Sequence, residues 1–275
     1  MVHGWGALVL SISLMLATDV SFAQVPNQRT VETAGPRSLP CNGRVARVEV
    51  VDWRPLLRAG ILPADGGLSG GKVALTFDDG PNPDFLPQIL DTLKECGVRA
   101  HFFFVGRRVR IVSDAEAALP RSERLLARVV DEGHIVGSHS MTHSLDRRIG
   151  HLVQRGDAAT LSVEVDAAHA LIEDRFGVQT PFIRFPYGHG WRVPAAHSYL
   201  RARGLVHFFW NMSTGDSIRG QPPTEHSVLA RTLSDVRRHG GGILLAHERG
   251  ATSRALRRIL MTMIDEGFTF VVYAP

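Results

Sequence analysis

From Lys72 onward the chain alternates between two hydrophobic rhythms. Short runs rich in apolar and β-branched residues are separated by longer stretches whose apolar positions recur every three or four residues. The first kind predicts strands at 73–77, 100–105, 134–138, 182–185, 205–210, 243–246 and 268–273. The second predicts helices near 85–96, 122–132, 161–176, 193–203, 225–239 and 253–266, several ending at a glycine, which stops a helix by tolerating the left-handed conformation. Seven strands alternating with six helices imply parallel βαβ units and an α/β fold. The unusual polar residues fall at strand C-terminal ends: Asp78 and Asp79, His139, Arg184, Asp216 and His247. An open sheet gathers ligands near one switch point, whereas a barrel brings many strand ends to one rim. The pattern therefore favours a barrel.

The N-terminal 70 residues follow a different pattern. An apolar run at 5–17 precedes Ser21-Phe22-Ala23 and is shorter than the roughly 20 residues that span a bilayer. It reads as a signal peptide over 1–23, cleaved after Ala23, which predicts a secreted or periplasmic protein with no membrane span after cleavage. The first four residues contain no Lys or Arg, so an uncleaved membrane anchor is the alternative. Residues 24–70 read as an N-terminal extension and linker with one short alternating stretch at 46–50, ending in the glycine-rich run 66–71. Residues 71–275 then form one domain.

Charge narrows the partners. The formal net charge is +4, Lys72 and Lys94 are the only lysines, and the arginines are scattered. That distribution argues against a nucleic-acid-binding stripe and is compatible with an anionic cell-wall polymer. The two cysteines, Cys41 and Cys96, permit one disulfide in an exported chain, and the sequence leaves open whether they meet. Oligomeric state is not legible.

The candidate chemistry begins at Thr76-Phe77-Asp78-Asp79-Gly80-Pro81, where two adjacent carboxylates end an apolar strand. Adjacent strand residues face opposite ways, so one site can use both only if the chain turns there. His139 and His143, four residues apart after another predicted strand, suit one face of a helical turn and can chelate a divalent ion as neutral imidazoles. With Asp79 they make a two-His, one-carboxylate set with open positions, suited to Zn²⁺ and also to Co²⁺, Ni²⁺ or Fe²⁺. The run Arg184-Phe185-Pro186-Tyr187-Gly188 supplies a cation able to stabilise a charged carboxylate, and a tight turn that can aim the Tyr187 backbone N–H into a pocket. His247 ends the apolar run 243–246. The remaining histidines, including His101, His169, His189, His197, His207 and His239, have no partner at ligand spacing and read as surface or supporting groups. Trp191 and Trp210 read as packing residues, with sugar stacking as the alternative.

These motifs, in this order, resemble the polysaccharide deacetylase family, carbohydrate esterase family 4, over Lys72 to about Tyr273. The resemblance rests on T-F-D-D-G-P, H-S-x-x-H, R-x-P-Y-G and L-x-H, the last being Leu245-Ala246-His247. It implies a distorted (β/α)7 TIM-like barrel and a metal-dependent hydrolase that releases acetate from an N-acetylated glycan such as peptidoglycan, a chitin-like chain or an exopolysaccharide. It further implies Asp78 as general base, His247 as general acid, and Asp79, His139 and His143 as metal ligands. Arg184 is expected to orient Asp78, the Tyr187 N–H to join an oxyanion hole, and Pro186, Tyr187 and Leu245 to contact substrate. A further family motif fits less well: the run from Trp210 to Ser217 keeps Asp216, expected to support His247, and has Ser217 where the family has a groove-wall Trp. Two alternatives stay open on the same barrel. One is an O-acetyl esterase or small-amide hydrolase; the other is an inactive glycan-binding module.

Overall fold

The computed structural model describes residues 41–43, 45–144 and 157–274, all within one compact unit that starts at Arg37. The expected signal peptide and residues 24–40 of the expected extension lie outside the described residues. Nine strands form the sheet: β1 (Arg47–Val51), β2 (Lys72–Gly80), β3 (His101–Phe104), β4 (Ile135–Ser138), β5 (Phe182–Ile183), β6 (Val206–His207), β7 (Met212–Ser213), β8 (Gly242–His247) and β9 (Thr269–Tyr273). The helices are α1 (Leu86–Cys96), α2 (Gly106–Ala115), α3 (Leu125–Asp131), α4 (Ala158–Leu161), α5 (Ala168–Phe176), α6 (Pro194–Arg201), α7 (Glu225–His239) and α8 (Gly250–Asp265). A π-helical segment, Ser162–Ala167, joins α4 to α5.

All strand pairs are parallel, and the ladder runs β7-β8-β2-β3-β4-β5-β6. Following the chain from β2 to β8 thus traces an open seven-stranded ring in which β8 pairs with β2 and no ladder joins β6 to β7 among the described residues. This is the arrangement of a distorted (β/α)7 barrel. The ring differs from the sequence expectation in one member. The run 205–210 shortens to β6, because after His207 the chain leaves the sheet at Phe208 to Trp210, and β7, which lies beyond that run, was not foreseen. The last expected strand, β9, pairs instead with β1 and with the first residues of β2. The alternating stretch seen at 46–50 is β1, and Leu62 and Leu68 are buried in the core. One helix, α2, was not foreseen, since Arg107, Arg108 and Arg110 interrupt an apolar stripe of only Val109 and Val112.

Strand alternation sorts the side chains. Val73, Leu75 and Phe77 of β2 face outward onto α1, α7 and α8, against Leu90, Leu93, Val236, Leu256 and Leu260. Ala74 faces inward with Phe103, Phe182, Phe208, Ile243 and Tyr273. Thr76 and Asp78 continue that inward face toward the rim.

Three histidines stiffen this interior. His101 accepts the Tyr273 N–H (3.0 Å), His134 the Ala100 N–H (3.2 Å) and His207 the Phe185 N–H (3.2 Å). His101 and His207, which the sequence placed at the surface or in support, are core acceptors. Burial pushes each of the three imidazoles down to about 3. Between about pH 6.5 and 3 the unfolded chain therefore binds protons that the folded chain refuses. Their contribution is complete above pH 6.5 and should fall as the medium is acidified, by up to about 1.4 kcal/mol per pH unit per histidine. Urea unfolding at pH 7.5 and pH 5 checks this, and His134→Gln should flatten the dependence.

Cys41 and Cys96 are bonded, closing a separation of 55 residues and tying the chain ahead of β1 to the end of α1. A loop of that length predicts a stabilisation of about 2–4 kcal/mol from the restricted unfolded chain. Denaturant unfolding with and without reductant, or of Cys41→Ser with Cys96→Ser, should show that loss.

Candidate active site

The site starts from one turn of backbone. Asp78 faces the barrel interior by strand alternation, so Asp79 would face the helices if β2 stayed regular. It does not: Asp79 adopts φ 70°, in the left-handed region, and the register to β3 shifts between Asp78 and Gly80. Both carboxylates consequently reach the same rim, as the sequence argument required. An L-residue pays on the order of 1 kcal/mol for such a conformation. Arg108, whose guanidinium donates to the Asp79 carbonyl, helps to hold it.

Opposite Asp78 stands Arg184, fully buried. Its Nη1 donates to Asp78 Oδ1 (2.7 Å) and to the Thr76 hydroxyl (2.9 Å), its Nε to the Phe208 carbonyl (2.8 Å) and its Nη2 to the Phe209 carbonyl (3.1 Å). The guanidinium also lies 4.3 Å from the Phe103 ring centre. A buried charge this fully paired fixes the direction of its carboxylate partner, and removal of either would strand the other.

His139 follows β4 and donates from Nδ1 to the Arg184 carbonyl (2.7 Å), which leaves Nε2 as the lone-pair nitrogen facing the site. Its Nε2 lies 3.5 Å from Asp79 Oδ1 and 3.8 Å from Asp78 Oδ2, and His143 Nε2 lies 3.0 Å from Asp79 Oδ1. The two histidines are not on a helical turn. Residues 139–144 form an irregular loop with positive φ at Ser140 (66°) and His143 (61°), and the His143 N–H bonds the Ser140 hydroxyl (3.1 Å). That backbone, rather than helical spacing, brings the rings together at 5.0 Å between centres.

These three residues fit a cation. Asp79 Oδ1 is buried without a hydrogen-bonded partner, although two imidazole nitrogens lie near it, and the three ligand atoms fall within 4.8 Å of one another. Ligands about 2.1 Å from a tetrahedral or octahedral metal stand roughly 3.0–3.4 Å apart, close to the separations from Asp79. Burial works against the Asp79 charge, but the imidazoles of His139, His143 and His247 outweigh it and hold the carboxyl well below the usual range.

His247 ends β8 and faces the same space, its Nε2 4.0 Å from Asp79 Oδ2. Behind it, buried Asp216 accepts from His247 Nδ1 (2.7 Å), from the His247 backbone N–H (2.8 Å) and from the Thr252 hydroxyl (2.6 Å). Burial pulls the imidazole toward neutrality, yet the bond and charge of Asp216, aided by Asp78 and Asp79, prevail and raise its pKa. Leu245 lies two residues earlier on the same face of β8, nearly buried. Pro186 is buried, and Tyr187 sits at φ 59° in the turn Pro186–Gly188 with its ring 66% exposed and edge-on to His143 at 5.0 Å. Gly188 allows the close approach of the next loop: a Cβ there would lie 2.5 Å from the Phe209 ring and 2.8 Å from Trp210. Trp191, Phe209 and Trp210 stack in sequence at 4.4 Å between centres, and Trp210 packs against the inner core as expected. Ser217 is exposed.

The sequence profile described as polysaccharide deacetylase matches residues 65–203. The chain belongs to the polysaccharide deacetylase family. Relatives include a chitooligosaccharide deacetylase of Sinorhizobium fredii, 31% identical over 74% of this chain and 90% of that one. A peptidoglycan-N-acetylglucosamine deacetylase of Bacillus cereus is 27% identical over 72% of this chain and 84% of the relative. Among solved structures, a Bdellovibrio bacteriovorus peptidoglycan deacetylase superposes with a TM-score of 0.63 at 27% identity, covering 83% of this chain and 58% of that one. A family pseudoenzyme from Bacillus anthracis shares the fold as well, with a TM-score of 0.58 at 22% identity over 73% of this chain and 63% of its own. Within the polysaccharide deacetylase family, then, the fold alone does not decide activity, and the side chains at the rim must.

Two buried acids escaped the sequence reading. Glu164, from the π-helical segment, bonds the loop that carries His143. Glu248 accepts the Asn82 N–H (2.5 Å) beneath the Asp79 turn, and burial raises its pKa to about 8. Neither lies in a recognisable motif; Glu248 was exposed to view only as the residue after His247.

Asp216 generates a direct expectation. Asp216→Asn should lower the His247 pKa, because the imidazolium loses the anion that compensates for its burial. Imidazole titration by NMR in the wild type and the variant checks the direction; an unchanged His247 titration would contradict it.

Proposed function

We propose that this chain is a metal-dependent hydrolase that removes N-acetyl groups from an amino-sugar polymer and releases acetate. The observation that carries the reading is the convergence at one rim of a three-ligand cation site with two proton carriers that have opposite partners. Asp78 is bound to a cation, Arg184, and His247 to an anion, Asp216. Arg184 fixes the direction of the Asp78 carboxylate, and Asp216 favours the protonated form of His247, the two partners that amide hydrolysis by general base and acid needs.

Asp79, His139 and His143 would hold the divalent ion, a donor set suited to Zn²⁺, with Co²⁺, Ni²⁺ or Fe²⁺ as substitutes. When bound, such an ion supplies Lewis acidity toward an attacking water and an acetyl carbonyl. Asp78, its Oδ1 held by Arg184, takes the proton from that water through its other oxygen. The Tyr187 N–H, aimed by the left-handed turn, donates to the carbonyl oxygen as it gains charge. His247 then gives its Nε2 proton to the departing sugar amine, while Asp216 stabilises its charged form. Pro186 and Leu245 offer apolar surface for the acetyl methyl, and the partly exposed Tyr187 ring borders the sugar. The net positive charge and the names of the relatives favour a glycan of the cell wall or of the chitooligosaccharide type. The apolar N-terminal run favours export, and no described helix is long and apolar enough to cross a membrane.

Acetate release from a panel of N- and O-acetylated glycans, with chelator and metal add-back, tests the proposal. N-acetylated substrates should be turned over, chelation should abolish release and metal should restore it. Asp78→Asn and His247→Ala should each lose about 10²–10⁴-fold in kcat. Release only from O-acetyl glycans would shift the reading to an esterase, and no release from any glycan to a binding module.

A further inference from the structure

His139 and His143 are held in different ways. His139 sits at the end of a strand, and its ring is fixed by the Arg184 carbonyl. The His143 ring has no hydrogen bond at Nδ1 among the described residues, so its aim depends on the backbone of a loop with two residues at positive φ. Something outside that loop must make this conformation the stable one.

Two elements grip the loop. The first N–H groups of α2 take its carbonyls: Gly106 N–H bonds Ser140 O and Arg107 N–H bonds Met141 O, both at 2.9 Å. From the other side comes Glu164, whose carboxylate bonds, among the described residues, only to this loop. Oε2 accepts the Thr142 N–H (3.0 Å), and Oε1 accepts the Thr142 hydroxyl (2.6 Å) and the Ser144 hydroxyl (3.4 Å). The Glu164 carbonyl accepts the Met141 N–H (3.1 Å) as well. The residue immediately before His143 is thus bonded through both its amide and its side chain to a single acid.

Glu164 lies inside Ser162–Ala167, the π-helical stretch between α4 and α5. A π turn is a rare, widened geometry that regular helix propensity does not favour, and it turns the following side chains relative to an α-helix. Here the neighbours Val165 and Ala168 are buried, Val163 is half exposed, and Glu164, an acid, is 7% exposed. An acid in so covered a position needs several donors to be tolerated, and among the described residues the His143 loop supplies them.

We infer that Glu164 is a positioning residue for the cation site: through Thr142 it fixes the backbone that aims His143 at Asp79, so that the π-helical segment sets metal affinity from outside the ligand shell. The inference rests on the reading of Asp79, His139 and His143 as a cation site. It assigns to Glu164 a function that packing alone would not require, since an apolar side chain of similar volume would fill the same space without gripping Thr142.

The test is metal affinity rather than turnover. The full chain is stripped of metal, and Co²⁺ and Zn²⁺ affinities are measured by competition with a chelator for the wild type, Glu164→Gln, Glu164→Ala and Thr142→Val. Supporting outcomes have the wild type binding one ion, Glu164→Ala and Thr142→Val weakening it by about 10–100-fold, and Glu164→Gln, which keeps one acceptor, falling between. The Co²⁺ absorption spectrum should change in Glu164→Ala as His143 loses its fixed place. Val228→Ala, a core truncation in α7, serves as a control for lost stability and should leave affinity unchanged. Affinities of Glu164→Ala and Thr142→Val within about twofold of wild type, with an unaltered Co²⁺ spectrum, would overturn the inference while leaving the cation site standing. A wild type that binds neither ion would overturn the site itself. Should Glu164→Ala not fold, Thr142→Val and Glu164→Gln carry the same decision.

Discussion

The rest of the site depends on the buried pair of Arg184 and Asp78. A fully enclosed guanidinium is tolerated because four of its five N–H groups meet acceptors: a carboxylate, a hydroxyl and two carbonyls. Meeting those demands fixes several things at once. It sets the rotamer of Asp78, draws the Phe208 to Trp210 segment off the sheet so that two carbonyls can turn inward, and, through the Arg184 carbonyl, orients His139. The shortening of the expected strand 205–210 to β6 follows from the same requirement. A single residue at the end of β5 therefore links the Asp78 carboxylate to the His139 imidazole.

Around that pair the rim is assembled from backbone conformations that regular elements cannot provide. Asp79, Ser140, His143 and Tyr187, the four described non-glycine residues at positive φ, are all in or beside the site. Each is held by contacts from a different element: Arg108 on Asp79, the start of α2 on Ser140, Glu164 beside His143, and the Pro186–Gly188 turn for Tyr187. Such concentration of unfavourable backbone is expected where function needs side chains from adjacent positions to share one point. It is also why stability of the surrounding barrel matters to the chemistry. The outer layer of α1, α7 and α8, with the disulfide at the end of α1, gives the rigid frame against which these turns are formed.

The electrostatics follow the same division of labour. Low-lying imidazoles such as His101 and His207 serve as neutral acceptors inside the barrel, where burial is not offset by a nearby anion. His247 is just as enclosed, yet it is raised, because Asp216 sits directly behind it. Identical side chains on one scaffold are thus shifted in opposite directions, chiefly by the placement of Asp216, a distinction their spacing along the chain does not reveal.

Sequence alone determined the periodicities, and with them the parallel α/β architecture and the order of polar residues at strand ends. Those are properties of local alternation and of which side chains follow an apolar run. It also singled out Asp78, Asp79, His139, His143, Arg184, Asp216 and His247, because their types and order are chemically unusual for turns. What tertiary structure decided was of a different kind: that β9 leaves the ring to pair with β1, that the His pair sits on a strained loop instead of a helical turn, that His101 and His207 are buried acceptors, that Cys41 meets Cys96, and that Glu164 and Glu248 brace the site. Each of these depends on contacts between residues far apart in the chain. An acid on a helix or a histidine in a strand reads as ordinary until the fold shows which donors surround it and how little water remains.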